Sequence, residues 1–180
     1  RTENRETNDF ISIEGQNFID PEGRQLIFSG INFISKNPAE KYLPPEGPEI
    51  FQQFNNWGFN CIRLGIIWDG LEPEPGKYNE EYLLEIDKRI QWAEDNGIYV
   101  YLDMHQDLYG AKFSDGAPDW ATLDEGQPHY SGAVWSDSYL ISPAVQTAFD
   151  NFWKNTPASD GVGLQDHYAN LWKHIAKRYA

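Results

Sequence analysis

Three short runs of apolar residues alternate with segments of helical periodicity, and this order constrains the fold more than any other feature of the chain. The runs occupy residues 26–33, 59–68 and 98–104. Each run is nearly continuous in apolar side chains, as expected of a strand that is buried on both faces. Strands that are separated by helices are parallel and joined by right-handed crossovers, so the order predicts an α/β fold.

Helices are predicted between and after these strands. Apolar residues recur at helical spacing in four segments: residues 50–57, 82–93, 144–154 and 164–179. The first two segments stop at Gly58 and Gly97, and glycine is a common C-terminal cap. Residues 105–143 are rich in Gly, Pro, Asp and Trp, and a connection of this length is expected to carry function.

The chain begins with a polar segment and a predicted hairpin. Residues 1–9 lack an apolar period, and we expect them to be disordered. Short apolar runs follow in residues 10–19, which end at Asp20-Pro21-Glu22-Gly23. Proline at the second position and glycine at the fourth favour a type I turn. A hairpin here would close the bottom of a barrel.

The number of strand–helix units predicts only part of a closed barrel. A TIM (β/α)8 barrel has eight parallel strands, whereas about three units are recognisable here. We therefore interpret residues 10–180 as the N-terminal portion of such a barrel, incomplete at the C-terminus. Three strands alone would expose an apolar edge. The remainder of the barrel, in the same or a separate chain, is thus an expected partner.

The charge balance argues against several classes of partner. The chain has 14 Lys and Arg against 28 Asp and Glu, a net charge of -14, which repels nucleic acid and anionic lipid. No stretch holds the roughly 18 apolar residues of a membrane span. We expect a protein that binds no nucleic acid and spans no membrane, and that is secreted, extracellular or periplasmic after removal of its signal. The single Cys61 forms no intrachain disulfide.

A charged residue in the middle of the second strand and polar residues at the end of the third form the candidate site. Arg63 lies in an apolar strand, where a guanidinium needs a carboxylate partner. Alternation points Asp103, His105 and Asp107 to one side of the carboxyl rim, where barrel enzymes assemble their sites. Retaining glycoside hydrolysis needs two carboxylates on opposite sides of the bond, and Asp103 and Asp107 project in parallel. We interpret both as substrate-positioning groups, with a metal site as the alternative.

Further polar and aromatic residues lie in the loops. Lys36 follows the first strand and is a candidate donor to a sugar hydroxyl. Three loop aromatics either anchor the long loop or stack on a ligand: Trp120, Tyr130 and Trp135. Three histidines show no partner pattern and are interpreted as structural or surface residues: His129, His167 and His174.

Four sequence motifs cover much of the chain. They are GINFISKNP at the first strand, NCIRLGIIWDGLEPEPGKYNEEYL at the second, YVYLDMHQDLYG at the third and GAPDWAT in the long loop. With these motifs the sequence resembles glycoside hydrolase family 5, and within it the endoglycoceramidase-like members. The resemblance implies a retaining β-glycosidase on a TIM barrel. It also implies action without a cofactor on β-linked glycans of glycolipids or on related β-glucosides.

The resemblance also implies roles for individual residues. Arg63 matches the arginine that supports the nucleophile, and His105 matches the histidine that lines the subsite where the bond breaks. Asp107 matches a carboxylate that binds sugar hydroxyls, with Lys36 as a second contact. Trp135 matches a stacking platform for the sugar.

One motif of the family is missing. In family 5 the acid/base follows Asn in an Asn-Glu-Pro motif and the nucleophile is a later Glu, but this sequence has no Asn-Glu-Pro. Asn79-Glu80-Glu81 opens a predicted helix and does not qualify. Both catalytic carboxylates are expected after Ala180, so the chain alone is predicted to be inactive. Two alternatives stay open: a non-catalytic carbohydrate-binding half-barrel and a metal-dependent hydrolase.

Overall fold

The computed structural model describes residues 10–179, so the disorder predicted for residues 1–9 lies outside the described part of the chain. Its strands are β1 (Ser12–Glu14), β2 (Asn17–Ile19), β3 (Gln25–Leu26), β4 (Gly30–Phe33), β5 (Cys61–Ile67) and β6 (Tyr99–His105). Its α-helices are α1 (Glu49–Asn56), α2 (Trp68–Leu71), α3 (Glu80–Asp95), α4 (Ser138–Ile141), α5 (Pro143–Trp153) and α6 (Leu164–Arg178). Short 3-10 helices span Pro38–Glu40, Asp119–Ala121 and Trp135–Asp137. The alternation of strands and helices confirms the predicted α/β class.

The central sheet consists of β4, β5 and β6, which are parallel and lie in that order. One cross-strand row joins Asn32, Arg63 and Tyr101. Helices α1 and α3 form the crossovers between these strands. The sheet stays open within residues 10–179. An open sheet is what the predicted N-terminal portion of a TIM barrel should have.

The core lies between this sheet and its helices. Phe51 and Phe54 of α1 pack edge-on against Phe33 of β4, with ring centroids 5.3 and 5.8 Å apart. On β5, the buried residues of the same sheet face are Ile62, Leu64 and Ile66. Full burial of an apolar side chain of this size stabilises the fold by roughly 1.5–3 kcal/mol. The opposite face of β5 carries Arg63, whose side chain stays partly exposed.

The N-terminal hairpin is larger than predicted. Strands β1, β2 and β3 form an antiparallel sheet of their own. The predicted turn is present, since the Gly23 N–H donates to the Asp20 carbonyl at 2.9 Å, but Leu26 beyond it pairs with Phe18 of β2. The prediction that residues 26–33 form one barrel strand was therefore wrong in its first half.

The side chain of Asn60 explains why the barrel strand begins only at Gly30. Its amide donates to the Ile27 carbonyl at 2.9 Å, and its carbonyl oxygen accepts from the Ser29 N–H at 2.8 Å. These bonds satisfy backbone groups of the connecting residues outside the strand ladder. The parallel pairing that starts at Gly30 thus follows a short stretch held by a side chain.

The other predicted strands and helices differ from the structure only at their ends. Strand β5 is shorter than the predicted residues 59–68, because Trp68 already begins α2. Strand β6 is shifted by one residue, which makes His105 its last residue. The predicted helices at residues 144–154 and 164–179 correspond to α5 and α6. Element type was thus predicted better than element boundaries.

Gly65 in β5 makes room for a side chain of the neighbouring segment. A Cβ atom at this position would lie 2.0 Å from Ile34 Cδ1. Ile34 directly follows β4, so its side chain extends over β5 only because position 65 carries none. Gly65 is also the β5 partner of Asp103 in β6.

The long connection between β6 and α5 folds back on the sheet. The Asp69 N–H donates to the Gly116 carbonyl at 2.8 Å, and Trp120 Nε1 donates to the Glu72 carbonyl at 3.0 Å. Leu108 has a left-handed backbone with φ of 55°, which few residues other than glycine adopt. Among residues 10–179, no helix has both the length and the apolar character of a membrane span.

Candidate functional site

The candidate site lies at the carboxyl end of β6 and extends along the sheet to Arg63 in the first half of β5. Parallel strands bring their carboxyl ends to the same edge of a sheet. Arg63 stands on β5, Asp103 and His105 on β6, and Asp107 just beyond β6. The loop after β4 adds Lys36.

Asp103 is the carboxylate partner that was predicted for Arg63. Arg63 Nη2 and Asp103 Oδ2 are 2.6 Å apart, and the Arg63 side chain is 40% exposed against 19% for Asp103. Arg63 Nη1 also lies 3.5 Å from Asn32 Oδ1. The guanidinium is thus held from two neighbouring strands and stays open on the face that lines the barrel interior.

His105 lies between two carboxylates. Its Nδ1 is 3.3 Å from Asp103 Oδ2, the oxygen that also contacts Arg63, and its Nε2 is 3.8 Å from Asp107 Oδ2. Asp103 accepts from an Nδ1–H, which leaves Nε2 with a lone pair in the neutral ring. Nε2 is buried and makes no hydrogen bond within residues 10–179. The contact of Nδ1 with Asp103 therefore orients the imidazole, while Nε2 is available for a further hydrogen bond.

Lys36 joins the remaining predicted residues to this group. Its ammonium forms an ion pair with Asp107 Oδ2. It also lies 5.9 Å from the ring centroid of Trp135, within the range of a cation–π contact. The structure thus brings together all six predicted site residues in one continuous series: Arg63, Asp103, His105, Asp107, Lys36 and Trp135. The role of each residue in binding or catalysis stays a prediction.

Asp115 is a member of this group that sequence reasoning missed. It is fully buried, and its Oδ1 accepts from the Asp107 N–H at 3.1 Å. Burial raises the pKa of the Asp115 carboxyl above its usual range, as does the charge of Asp107, while His105 and Lys36 act to lower it. In the sequence this residue stands in a Ser-Asp-Gly stretch, which is also typical of an ordinary turn.

Three of these residues offer donors that suit a metal ion. One donor atom each from His105, Asp107 and Asp115 lies within 4.8 Å of the others, and nitrogen and oxygen ligands suit several divalent ions. Lys36, however, already pairs with Asp107 Oδ2, the oxygen that faces His105. A cation bound there would have to displace the ammonium, so the donor set fits a metal poorly.

The arrangement is suited to orienting a neutral, hydroxyl-rich ligand. Asp103 and Asp107 each pair with a cation, and their carboxylate oxygens can accept hydrogen bonds. Trp135 is 56% exposed, and a flat exposed ring offers a surface on which the C–H face of a sugar can stack. Asp103 and Asp107 lie on one side of the rim and contact the same imidazole. They do not flank a bond from opposite sides, as a hydrolytic pair must.

The other predicted loop residues have structural contacts. Trp120 packs at 4.8 Å against the His167 ring, and Tyr130 is exposed. His167 is buried between Glu72 and Asp160, at 3.0 and 3.2 Å. The structural interpretation of His167 is confirmed, although it has the carboxylate partners that its sequence context did not reveal.

His129 and His174 also have structural partners. His129 stacks on Phe113 at 5.0 Å and contacts Ser142 Oγ at 2.8 Å. His174 lies 3.0 Å from Glu80 on the surface. Neither ring is part of the candidate site.

The fold and the site define a family of carbohydrate-cleaving enzymes. The family model described as cellulase (glycosyl hydrolase family 5) matches residues 19–180. The chain belongs to glycosyl hydrolase family 5. Within this family, the resemblance to endoglycoceramidases that the motifs indicated is confirmed by the relatives and structures below.

Two curated relatives are endoglycoceramidases. That of Cyanea nozakii is 33% identical over 198 residues, which cover 94% of this chain and 38% of the relative. Endoglycoceramidase I of Rhodococcus hoagii is 29% identical over 178 residues, which cover 93% of this chain and 33% of the relative. The chain thus spans less than two fifths of the length of either relative.

Solved structures of endo-glycoceramidase II from Rhodococcus sp. are similar to this chain. The complex with a five-membered iminocyclitol has a TM-score of 0.81 at 36% identity, covering 92% of this chain and 39% of that one. The ganglioside GM3 complex has a TM-score of 0.82 at 33% identity, covering 93% and 40%. The fold of this chain is thus similar to that of about two fifths of each of these longer enzyme chains.

Proposed function

We propose that the whole protein is a retaining β-glycosidase that releases the glycan of a glycolipid or a related β-glucoside. The observation that carries this proposal is the continuous series from Arg63 to Trp135 at the rim of a family 5 sheet. These residues combine cations, carboxylates, an imidazole and an exposed ring. A neutral glycan presents the hydroxyl groups and apolar C–H faces that such a site can bind.

The reaction needs two further carboxylates. A retaining glycosidase uses one as nucleophile and one as acid/base, about 5–5.5 Å apart. We propose that both belong to the part of the protein that corresponds to the remaining length of the relatives. The described site would then bind and orient the glycan beside them.

Each residue of the series has a role in this proposal. Arg63 holds Asp103 and presents its free guanidinium edge to the nucleophile, favouring the ionised form of that carboxylate. Asp107 and Lys36 bind sugar hydroxyls, one as acceptor and the other as donor. Trp135 stacks on the sugar ring.

Turnover assays on the whole protein test the proposal. We expect hydrolysis of an aryl β-glycoside and of a glycosphingolipid, with release of an intact glycan of unchanged anomeric configuration. The matched control is the chain of residues 1–180, which is expected to release no sugar. A folded whole protein that hydrolyses neither substrate would contradict the proposal.

The same assays separate the alternatives. Glycan binding without turnover by the whole protein would favour a carbohydrate-binding module. Activity that disappears on strong chelation and returns with a divalent ion would favour a metal-dependent hydrolase. Export of the protein stays a prediction, which fractionation of the producing cells would test.

A further inference from the structure

Asp115 is a buried carboxyl group that lies directly beneath the candidate glycan site. It is 0% exposed. The Asp107 N–H donates both to Asp115 Oδ1 and to the Asp115 carbonyl, each at 3.1 Å, and the Asp115 N–H donates back to the Asp107 carbonyl at 3.3 Å. The two residues therefore hold each other at side chain and backbone.

The loop geometry fixes Asp115 in this place. Gly116 has φ of 124°, and a Cβ atom there would lie 2.5 Å from both Gln106 Cβ and the Tyr109 carbonyl oxygen. The backbone can return this close to β6 only with glycine at the position. The Asp69 N–H anchors the returning segment by its bond to the Gly116 carbonyl.

The groups around Asp115 are those that contact the glycan site. Its carboxyl group faces Asp107, His105 and Lys36, and Tyr42 on the opposite side lies within reach of its charge. Tyr42 in turn donates to Asp69 Oδ2 at 2.6 Å. Asp107 thus lies between a buried acid that repels its charge and an ammonium that attracts it.

We propose that Asp115 is a positioning residue that sets the orientation of Asp107 in the glycan site. This inference rests on the proposed glycosidase function. The bonds from the Asp107 N–H to Asp115 fix the backbone from which the Asp107 side chain reaches towards Lys36. The charge of Asp107 in turn raises the pKa of the Asp115 carboxyl group.

Two substitutions in the whole protein separate these effects. Asp115→Ala removes the side-chain acceptor of the Asp107 N–H and leaves only its bond to the carbonyl of residue 115. We expect KM for an aryl β-glycoside to rise about tenfold while kcat changes by less than about threefold. Asp115→Asn retains a side-chain oxygen acceptor but removes a carboxyl group whose pKa is raised. We expect its KM to stay near that of the wild type, while the acid limb of its kcat/KM profile moves to lower pH.

The matched control is Asp119→Asn, an exposed acid of the same loop. It is expected to leave KM and the pH profile at wild-type values. If both Asp115 variants behave like this control, the inference is wrong while the glycosidase function stands. The same holds if they lose thermal stability without a change in KM or pH profile.

The remaining outcomes are also decisive. If Asp115→Ala does not fold, the pH profile of Asp115→Asn decides between positioning and a purely structural role. If the folded wild-type protein hydrolyses no glycoside, the proposed function fails first, and the inference about Asp115 fails with it.

Discussion

The protein contains two histidines that each lie between two carboxylates, and the two clusters differ in what surrounds them. The rim cluster places His105 between Asp103 and Asp107, at 3.3 and 3.8 Å. The buried cluster places His167 between Glu72 and Asp160, at 3.0 and 3.2 Å. The chemical groups are alike, so the difference in function must come from their partners.

In the buried cluster, the polar groups of His167 and Glu72 already have hydrogen-bond partners. Both ring nitrogens of His167 lie within hydrogen-bonding distance of a carboxylate oxygen, Nδ1 of Glu72 and Nε2 of Asp160. Glu72 is 0% exposed and also accepts from Trp68 Nε1 and the Gly76 N–H, each at 2.8 Å. Such a network joins α6 to the loop after β5.

The rim cluster keeps groups that are available to a ligand. Arg63 and Lys36 neutralise its carboxylates from outside, and both cations are partly exposed. The Nε2 of His105 makes no hydrogen bond within residues 10–179. The comparison teaches that a histidine between two carboxylates holds elements together where its hydrogen bonds are all made, and keeps a ring nitrogen available to a ligand where one is left open.

The largest expected effect concerns His105 in the rim cluster. In the whole protein, His105→Ala is expected to lower kcat/KM for an aryl β-glycoside by about 100-fold, since the resemblance to family 5 implies that this oriented group lines the subsite where the bond breaks. The melting temperature is expected to change little. Steady-state kinetics and thermal unfolding on the same preparation check both statements, and an unchanged kcat/KM would refute the role of His105.

The second effect concerns the stability that His167 gives to the buried cluster. His167→Ala removes a hydrogen-bond partner of the buried Glu72 carboxylate, and leaving a buried acceptor without its partner costs about 1–3 kcal/mol. Urea unfolding of the whole protein should show this loss, with turnover per folded molecule near the wild-type value. His174→Ala is the control, because its surface pair with Glu80 is worth at most about 1 kcal/mol. Equal stability of the two variants would contradict the distinction.

A third, smaller effect concerns the edge of the rim cluster. Trp135→Ala is expected to raise KM about tenfold, because it removes a stacking surface of about 1–1.5 kcal/mol. Trp153→Ala provides the control, since Trp153 is 71% exposed and lies in α5. Kinetics with a glycosphingolipid measure both variants. If Trp153→Ala raises KM as much as Trp135→Ala, Trp135 has no special part in sugar binding.

The smallest effect is a dependence of stability on pH. Because the folded pKa of Asp115 is raised, its contribution to stability is fully present below the unfolded pKa and is lost as pH rises through the folded pKa. The Asp115→Asn variant has no carboxyl group at this position, so it does not lose stability in this way as the pH rises. Its stability relative to the wild type should therefore increase as the pH rises from about 4 towards neutrality. Melting temperatures across this range measure it, and a constant difference would contradict the raised pKa.

Local patterns predicted the strands and the rim, whereas contacts across the chain could not be predicted. Arg63 and the series from Asp103 to Asp107 follow from strand alternation, which is a property of a few neighbouring residues. The pair of His167 with Glu72 joins positions 95 residues apart, and no local pattern marks it.

Backbone geometry accounts for two other differences. Asp115 reaches Asp107 only because of the left-handed turn at Leu108 and the close return at Gly116. The start of β4 depends on hydrogen bonds from the side chain of Asn60. Conformations of single loop residues and side-chain bonds to the backbone are not visible in apolar periodicity.

Gly65 links the packing of the sheet to the position of Lys36 in the candidate site. Any larger residue there would push against Ile34, and Lys36 follows two residues later. If Lys36 binds the glycan as proposed, selection for glycan affinity would also act on position 65, which lies outside the proposed glycan contacts. A lineage that exchanged Gly65 would have to accept a displaced Lys36 or change Ile34 at the same time, so positions 34 and 65 are expected to vary together.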